Sequence, residues 1–264
     1  MDTTNGIPDS EGPEDVLRRR GTNAQPRSAL ETQPTVPVYR SPKALIPNTP
    51  LAAATISFLL GSLCITGLFI FSNQSLQYGV ITNQLGFFIA AWSAFHWGEF
   101  AVTAGWNREK CSVDSFLLEN GSTYHIAHSI AILEHVVTVW FKPASKTYPY
   151  VSVVVGQALR SIAMIHAATN FSHAVAYNKL DTHVLVTDGI YSWFRHPSYA
   201  GFFYWALGTQ LVLQNPVSLI IYSALLWKFF RDRIRYEEQA LVRFFGRAYV
   251  DYRSRVGTKI PFIA

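Results

Sequence analysis

Residues 51–71 read LAAATISFLLGSLCITGLFIF. The run carries no charge and matches the roughly 20 apolar residues a helix needs to cross a bilayer. Outward from it, further apolar runs fall at about 80–104, 124–141, 148–171, 199–213 and 216–230. Gln214-Asn215-Pro216 separates the last two and leaves room only for a tight helical hairpin. Upstream, residues 1–48 are polar and hold seven of the 13 prolines, the composition of a disordered cytosolic tail. Within it Arg18-Arg19-Arg20 is either a solvated stretch or a lipid-contact cluster. No signal peptide opens the chain, since the first apolar run starts near residue 51. Only 15% of the 264 residues are charged, against about a quarter in soluble domains. Two cysteines, Cys64 inside an apolar run and Cys111, make a disulfide scaffold untenable. The expected fold is an all-α integral membrane protein of about six transmembrane helices. A tail, 1–48, precedes one domain, 49–264, divided into the first four apolar runs (49–172) and a more polar last third (173–264).

Lysine and arginine set the orientation. Six lie in the N-terminal tail and nine from Lys228 onward; Arg108, Lys110, Lys179 and Arg195 mark two further loops. Both termini are therefore expected on the cytosolic face, with Lys142 and Lys146 a mild exception. Ionisable groups at membrane depth face the bundle interior and find partners. Glu134 and Arg160, near the middle of adjacent spans, are expected to pair, either fixing helix register or walling a substrate cavity. His96 and Glu99 are three apart and share a helix face, with Glu99 toward the cytosolic end. The eight histidines are scattered and no CxxC occurs, so no metal site is expected.

Specific polar positions crowd the last third. His183-Val184-Leu185-Val186 is extended in character and runs into the turn signal Asp188-Gly189. Arg195-His196-Pro197-Ser198-Tyr199 opens the fifth helix, with Pro197 in the first turn, where a missing N–H costs nothing. That start is either a plain capped helix or an anion site built from free amides. Arg233 and Glu237 are four apart on a continuing helix. They form either an ordinary ion pair or a carboxylate-gripping arginine beside a cofactor-facing glutamate. No GxGxxG follows a strand, so a Rossmann nucleotide site is not expected. The closing residues Phe244 to Tyr252 read as a final amphipathic helix, and the chain carries no C-terminal prenylation motif of its own.

These motifs taken in order resemble the isoprenylcysteine carboxyl methyltransferase family over roughly residues 50–264. The resemblance is carried by His96-Trp-Gly-Glu99-Phe, Asp181-Thr-His183-Val-Leu-Val, Gly189-Ile-Tyr191, Phe194-Arg-His-Pro-Ser-Tyr199, Gly208-Thr-Gln210, Asn215-Pro216, Phe229-Phe-Arg-Asp-Arg233, Glu237-Glu238 and Ile260-Pro-Phe-Ile263. It implies an S-adenosyl-L-methionine-dependent enzyme of the endoplasmic reticulum membrane that methylates the C-terminal carboxylate of the prenylated cysteine of CaaX proteins after proteolysis. By the same resemblance His183, Val184, Leu185, Val186, Tyr191, His196, Pro197, Ser198, Tyr199 and Glu237 contact the cofactor, and Arg233 binds the substrate carboxylate. The chain departs from the pattern at Ala176, where animal members place a glutamine, and at Arg235-Tyr236, which replaces acidic residues. Six spans rather than eight resembles the fungal branch. Neither a metal nor a nucleic acid is implied.

The carboxylate substrate is ionised at neutral pH, its reference pKa being about 3.5, so no general base is needed. Alignment and water exclusion are the expected sources of rate. The prenyl chain is expected to enter sideways from the bilayer and the polar cofactor from the cytosol. Two other readings stay open on sequence: an NADPH-dependent sterol or lipid reductase of the same superfamily, and a non-catalytic membrane scaffold.

Overall fold

The computed structural model describes residues 46–141, 149–175, 178–179 and 183–264. Most of the expected tail, 1–48, and the Ala176 departure lie outside these residues. Seven helices follow in order: α1 Pro50–Ser72, α2 Asn83–Trp106, α3 Ser122–Phe141, α4 Tyr150–Ala167, α5 Pro197–Leu213, α6 Pro216–Phe245 and α7 Arg247–Arg255. No strand occurs among the described residues, only isolated bridges at Tyr78–Ile81 and Ile260–Ile263. Each of the six expected apolar runs coincides with a helix.

Helix starts follow local chemistry. Thr49 caps α1 by accepting the Ala52 N–H at 3.2 Å, and Thr82 caps α2 through Leu85 N–H at 3.1 Å. Pro50, Pro197 and Pro216 each sit in a first turn, where φ is already suitable. Two helices are long and apolar enough by themselves to cross a membrane, α1 and Tyr150–Asn170, which comprises α4 and the turn after it. The other four expected spans carry polar groups or are short: His96 and Glu99 in α2, three histidines and Glu134 in α3, only 17 residues in α5, a charged second half in α6. Large apolar side chains nevertheless point outward along the bundle, among them Phe58, Ile65, Trp140, Phe141, Val151 and Ile220. An apolar exterior of this kind suits lipid rather than water.

Helix pairs meet through glycine. A Cβ on Gly67 would lie 2.6 Å from Ala90 N, and one on Gly86 2.6 Å from Phe71 N, so α1 and α2 touch backbone to backbone. Gly156 and Gly201 do the same for α4 and α5, with Trp205 N and Arg160 N at 2.6 and 2.7 Å from the hypothetical carbons. Small residues at such crossings are how helices associate where lipid supplies no hydrophobic drive. Phe95 stacked on Trp205 at 4.5 Å anchors the central core, with Ala131, Val153, Val212 and Tyr222 around them. A second cluster joins Tyr199, Phe203, Phe230 and Ile234 to the terminal Ile260 and Ile263.

The expected Glu134–Arg160 pair does not form. Glu134 accepts from Val217 N and Ser218 N at 2.7 and 2.6 Å, capping α6 from outside. Asn215 makes no side-chain cap there, so the helix start offers unpaired amides that attract a carboxylate. Arg160 pairs instead with Glu99: Nε bonds Oε1, and Nη2 reaches Oε2 at 2.7 Å. Mid-span position marked Arg160 as needing a carboxylate, but which carboxylate it meets, and that Glu134 takes backbone amides instead, depends on the helix packing.

Candidate active site

The site is built where the loop 168–196 is pinned against α4, α5 and α6. Lys110 Nζ donates to Thr169 O and Phe171 O at 2.6 and 2.8 Å, and Asn107 donates to Phe171 O at 2.9 Å. Asn170 accepts the Val184 N–H at 2.8 Å and so anchors the segment 183–187, which is neither helix nor strand. Gly189 then turns at φ +53°, a conformation glycine takes without cost. Tyr191 follows, its hydroxyl donating to Ala163 O at 3.2 Å while its own carbonyl accepts from Tyr252 at 2.6 Å.

An open cleft lies between these parts. Val184, Leu185, Val186, Tyr191, His196, Pro197, Ser198, Tyr199 and Glu237 line it. Nine of the ten residues expected at a cofactor site thus share one wall. His183 is not among the lining residues; its ring faces Phe244 at 6.5 Å. Arg233 also stands behind the wall. Its Nε donates to the Tyr199 hydroxyl at 2.8 Å, its Nη2 donates to His173 O, and its guanidinium lies 5.3 Å over the Tyr199 ring. The Tyr199 hydroxyl in turn donates to Glu237. Arg233 and Glu237 therefore meet on one hydroxyl, which sequence spacing alone does not show.

The start of α5 is less open to an anion than its sequence suggests. The amides of Tyr199 and Ala200 already bond His196 O, at 3.1 and 3.0 Å. What the segment offers is side chains, held from behind by Arg160, whose Nη1 donates to Ser198 Oγ at 3.1 Å. Half-buried His173 closes this back wall at 3.7 Å from Glu99. Burial drives its imidazole down to about 4; Glu99 opposes the shift, while Arg160, Arg233 and Lys110 add to it. It is neutral at pH 7.

Several lining residues carried no sequence expectation. Arg195, between two singled-out positions, is buried and donates to Glu238 at 2.6 Å and to Val256 O at 2.6 Å. Glu238 also faces His196 at 3.3 Å. Burial works against its ionisation, but His196 and Arg195 together hold its carboxyl below the ordinary value. Leu241 and Phe245 line the cavity too. They continue Glu237 at i+4 and i+8, a helical face that periodicity could have found. Asn170 and Tyr249 had no local signal. Tyr249 brings a buried hydroxyl that finds no protein partner.

Residues 149–243 match the model of the "Isoprenylcysteine carboxyl methyltransferase (ICMT) family". A protein-S-isoprenylcysteine O-methyltransferase of Saccharomyces cerevisiae is 44% identical over 231 residues, spanning 83% of this chain and 94% of that protein. The chain belongs to the isoprenylcysteine carboxyl methyltransferase family. A Homo sapiens protein-S-isoprenylcysteine O-methyltransferase is 41% identical over 232 residues, covering 86% of this chain and 78% of its own. Among solved structures, one described as the eukaryotic intramembrane Ras methyltransferase ICMT aligns with a TM-score of 0.73 at 35% identity. It covers 81% of this chain and 82% of that one.

Proposed function

We propose that this chain is the protein-S-isoprenylcysteine O-methyltransferase of its cell. It transfers the methyl group of S-adenosyl-L-methionine to the C-terminal carboxylate of farnesylated or geranylgeranylated cysteine in CaaX proteins. The observation that carries the reading is the single cavity lined by Val184 to Val186, Tyr191, His196 to Tyr199 and Glu237, with Arg233 bonded to its wall through Tyr199.

The lining fits the cofactor's chemistry. Val184, Leu185 and Val186 offer an apolar wall for a base, Glu237 a carboxylate for ribose or ammonium donors, and Tyr249 a buried hydroxyl awaiting a partner. Bound there, the cofactor supplies an electrophilic methyl on a sulfonium. The ring face of Tyr191 favours positive charge beside it. Arg233, held through Tyr199 and His173 O, supplies the positive charge that orients the carboxylate. Arg160 holds Ser198 and thereby the start of α5. The helices exclude water, which strengthens each of these interactions. No side chain has to remove a proton, because the carboxylate is already ionised.

The finer topology belongs to the same proposal: six spans (α1 to α6), an N-terminal tail, 1–48, outside the catalytic domain 49–264, both termini cytosolic, and residence in the endoplasmic reticulum. The prenyl chain reaches the site from the bilayer and the cofactor from the cytosol. Family membership favours this reading over the reductase and scaffold alternatives.

The test is methyl transfer from labelled S-adenosylmethionine to S-farnesylcysteine, using membranes that express the chain, with the carboxyl-amidated compound as control. Labelling that requires the free carboxylate is the expected result. No labelling by folded protein, together with thermal stabilisation by NADPH and none by S-adenosylhomocysteine, would return the reductase reading.

A further inference from the structure

A second groove runs along the other face of α6, bounded by α7 and the terminal turn. Arg231, Arg235, Arg243 and Arg253 line it, with Phe262 at its rim. The acidic side chains nearby are already engaged. Glu238 is held by Arg195 at 2.6 Å and stands 3.6 Å from Arg253, while Asp232 bonds Arg231 at 3.2 Å. Arg235 and Arg243 are exposed and form no ion pair among the described residues.

The groove's depth points to its occupant. On the membrane reading above, α6 is apolar from Pro216 to Trp227, carries its first charge at Lys228, about 18 Å along its axis, and continues into Arg231 and Arg235. The arginines therefore begin where hydrocarbon gives way to headgroups. Aromatic groups mark the same level: the Arg231 guanidinium lies 4.8 Å over Trp227, and Phe262 is 94% exposed. Tryptophan at this level is the usual aromatic of a membrane–water interface. A basic cluster directly beyond a spanning helix attracts anionic lipid.

We propose that this groove binds the phosphate-bearing headgroup of an anionic glycerophospholipid in the cytosolic leaflet. Arg235 and Arg243 grip the phosphate, and Phe262 inserts among the acyl chains. The groove is separate from the catalytic cavity; the Arg195–Glu238 pair stands between them, Arg195 lining one and Glu238 the other.

The full-length protein in detergent is titrated with dioctanoyl phosphatidylinositol, dioctanoyl phosphatidylcholine and inorganic phosphate, and thermal stabilisation is followed. Only phosphatidylinositol is expected to stabilise it. The double variant Arg235→Gln/Arg243→Gln should bind on the order of tenfold more weakly, since each cation near the surface contributes to anionic-lipid attraction. Arg235→Lys/Arg243→Lys should retain most binding, and Arg247→Gln, whose residue pairs with Asp251 outside the groove, should bind as the parent. Undiminished affinity in the double glutamine variant would overturn the site. Equal stabilisation by inorganic phosphate or by a hexaglutamate peptide would overturn the lipid as occupant. None of these readouts requires methyl transfer, so failure here leaves the catalytic reading standing.

Discussion

Arg233→Lys keeps the charge and removes the planar fork. Methyl transfer should fall about 10- to 100-fold, the loss of one charge-assisted hydrogen bond of about 2 kcal/mol. Stabilisation by S-adenosylhomocysteine should persist, separating a carboxylate grip from a folding defect; near-parental turnover would remove Arg233 from that role. His173 belongs to the same scale. Its unfolded-state pKa is the ordinary 6.5 and its folded value about 4, so between these the unfolded chain binds more protons. Its contribution to stability is complete above pH 6.5 and is lost as pH falls toward 4. Melting temperature in detergent should drop through that window, and His173→Gln should flatten the drop. At this scale the sequence was legible wherever a motif named its residues. His173 escaped because its importance comes from Glu99, on a helix far back in the chain, and Asn170 because its partner Val184 lies across an irregular loop with no helix or strand period to point to it.

Glu99 and Glu134 separate two functions of a carboxylate within helical elements. Glu99→Ala leaves Arg160 buried without its partner and should cost about 3–5 kcal/mol. Glu134→Ala removes the external cap of α6 and should cost about 1 kcal/mol. Comparable melting shifts for the two would contradict the pairing seen here. The α4–α5 crossing is equally specific. Leucine at Gly156 would drive a side chain into backbone that a Cβ alone would approach to 2.6 Å, so a loss of about 2 kcal/mol or more is expected. Activity should fall with it, because α4 carries Arg160 and α5 carries Ser198. The helices themselves were readable from apolar run length, proline at first turns and the Gln214-Asn215-Pro216 break. Their pairing was not, since glycine in an apolar run marks a possible close approach without naming the partner.

Across the whole molecule, deletion of residues 1–40 should leave methyl transfer intact in isolated membranes; a large loss would make the tail part of the enzyme. The order of apolar runs and the succession of motifs in the last third were enough to anticipate the all-α class, the helices that the apolar runs form, and nine of the residues that line one cavity. These properties are local: hydropathy, helix signals and short motifs act within a few turns of chain. Tertiary structure alone decided that Arg160 meets Glu99, that Glu134 caps α6, that one tyrosine hydroxyl joins Arg233 to Glu237, and that four arginines line a second groove. Each depends on which helix faces which, and that is set by backbone contact at Gly67, Gly86, Gly156 and Gly201 and by the loop pinned under Lys110.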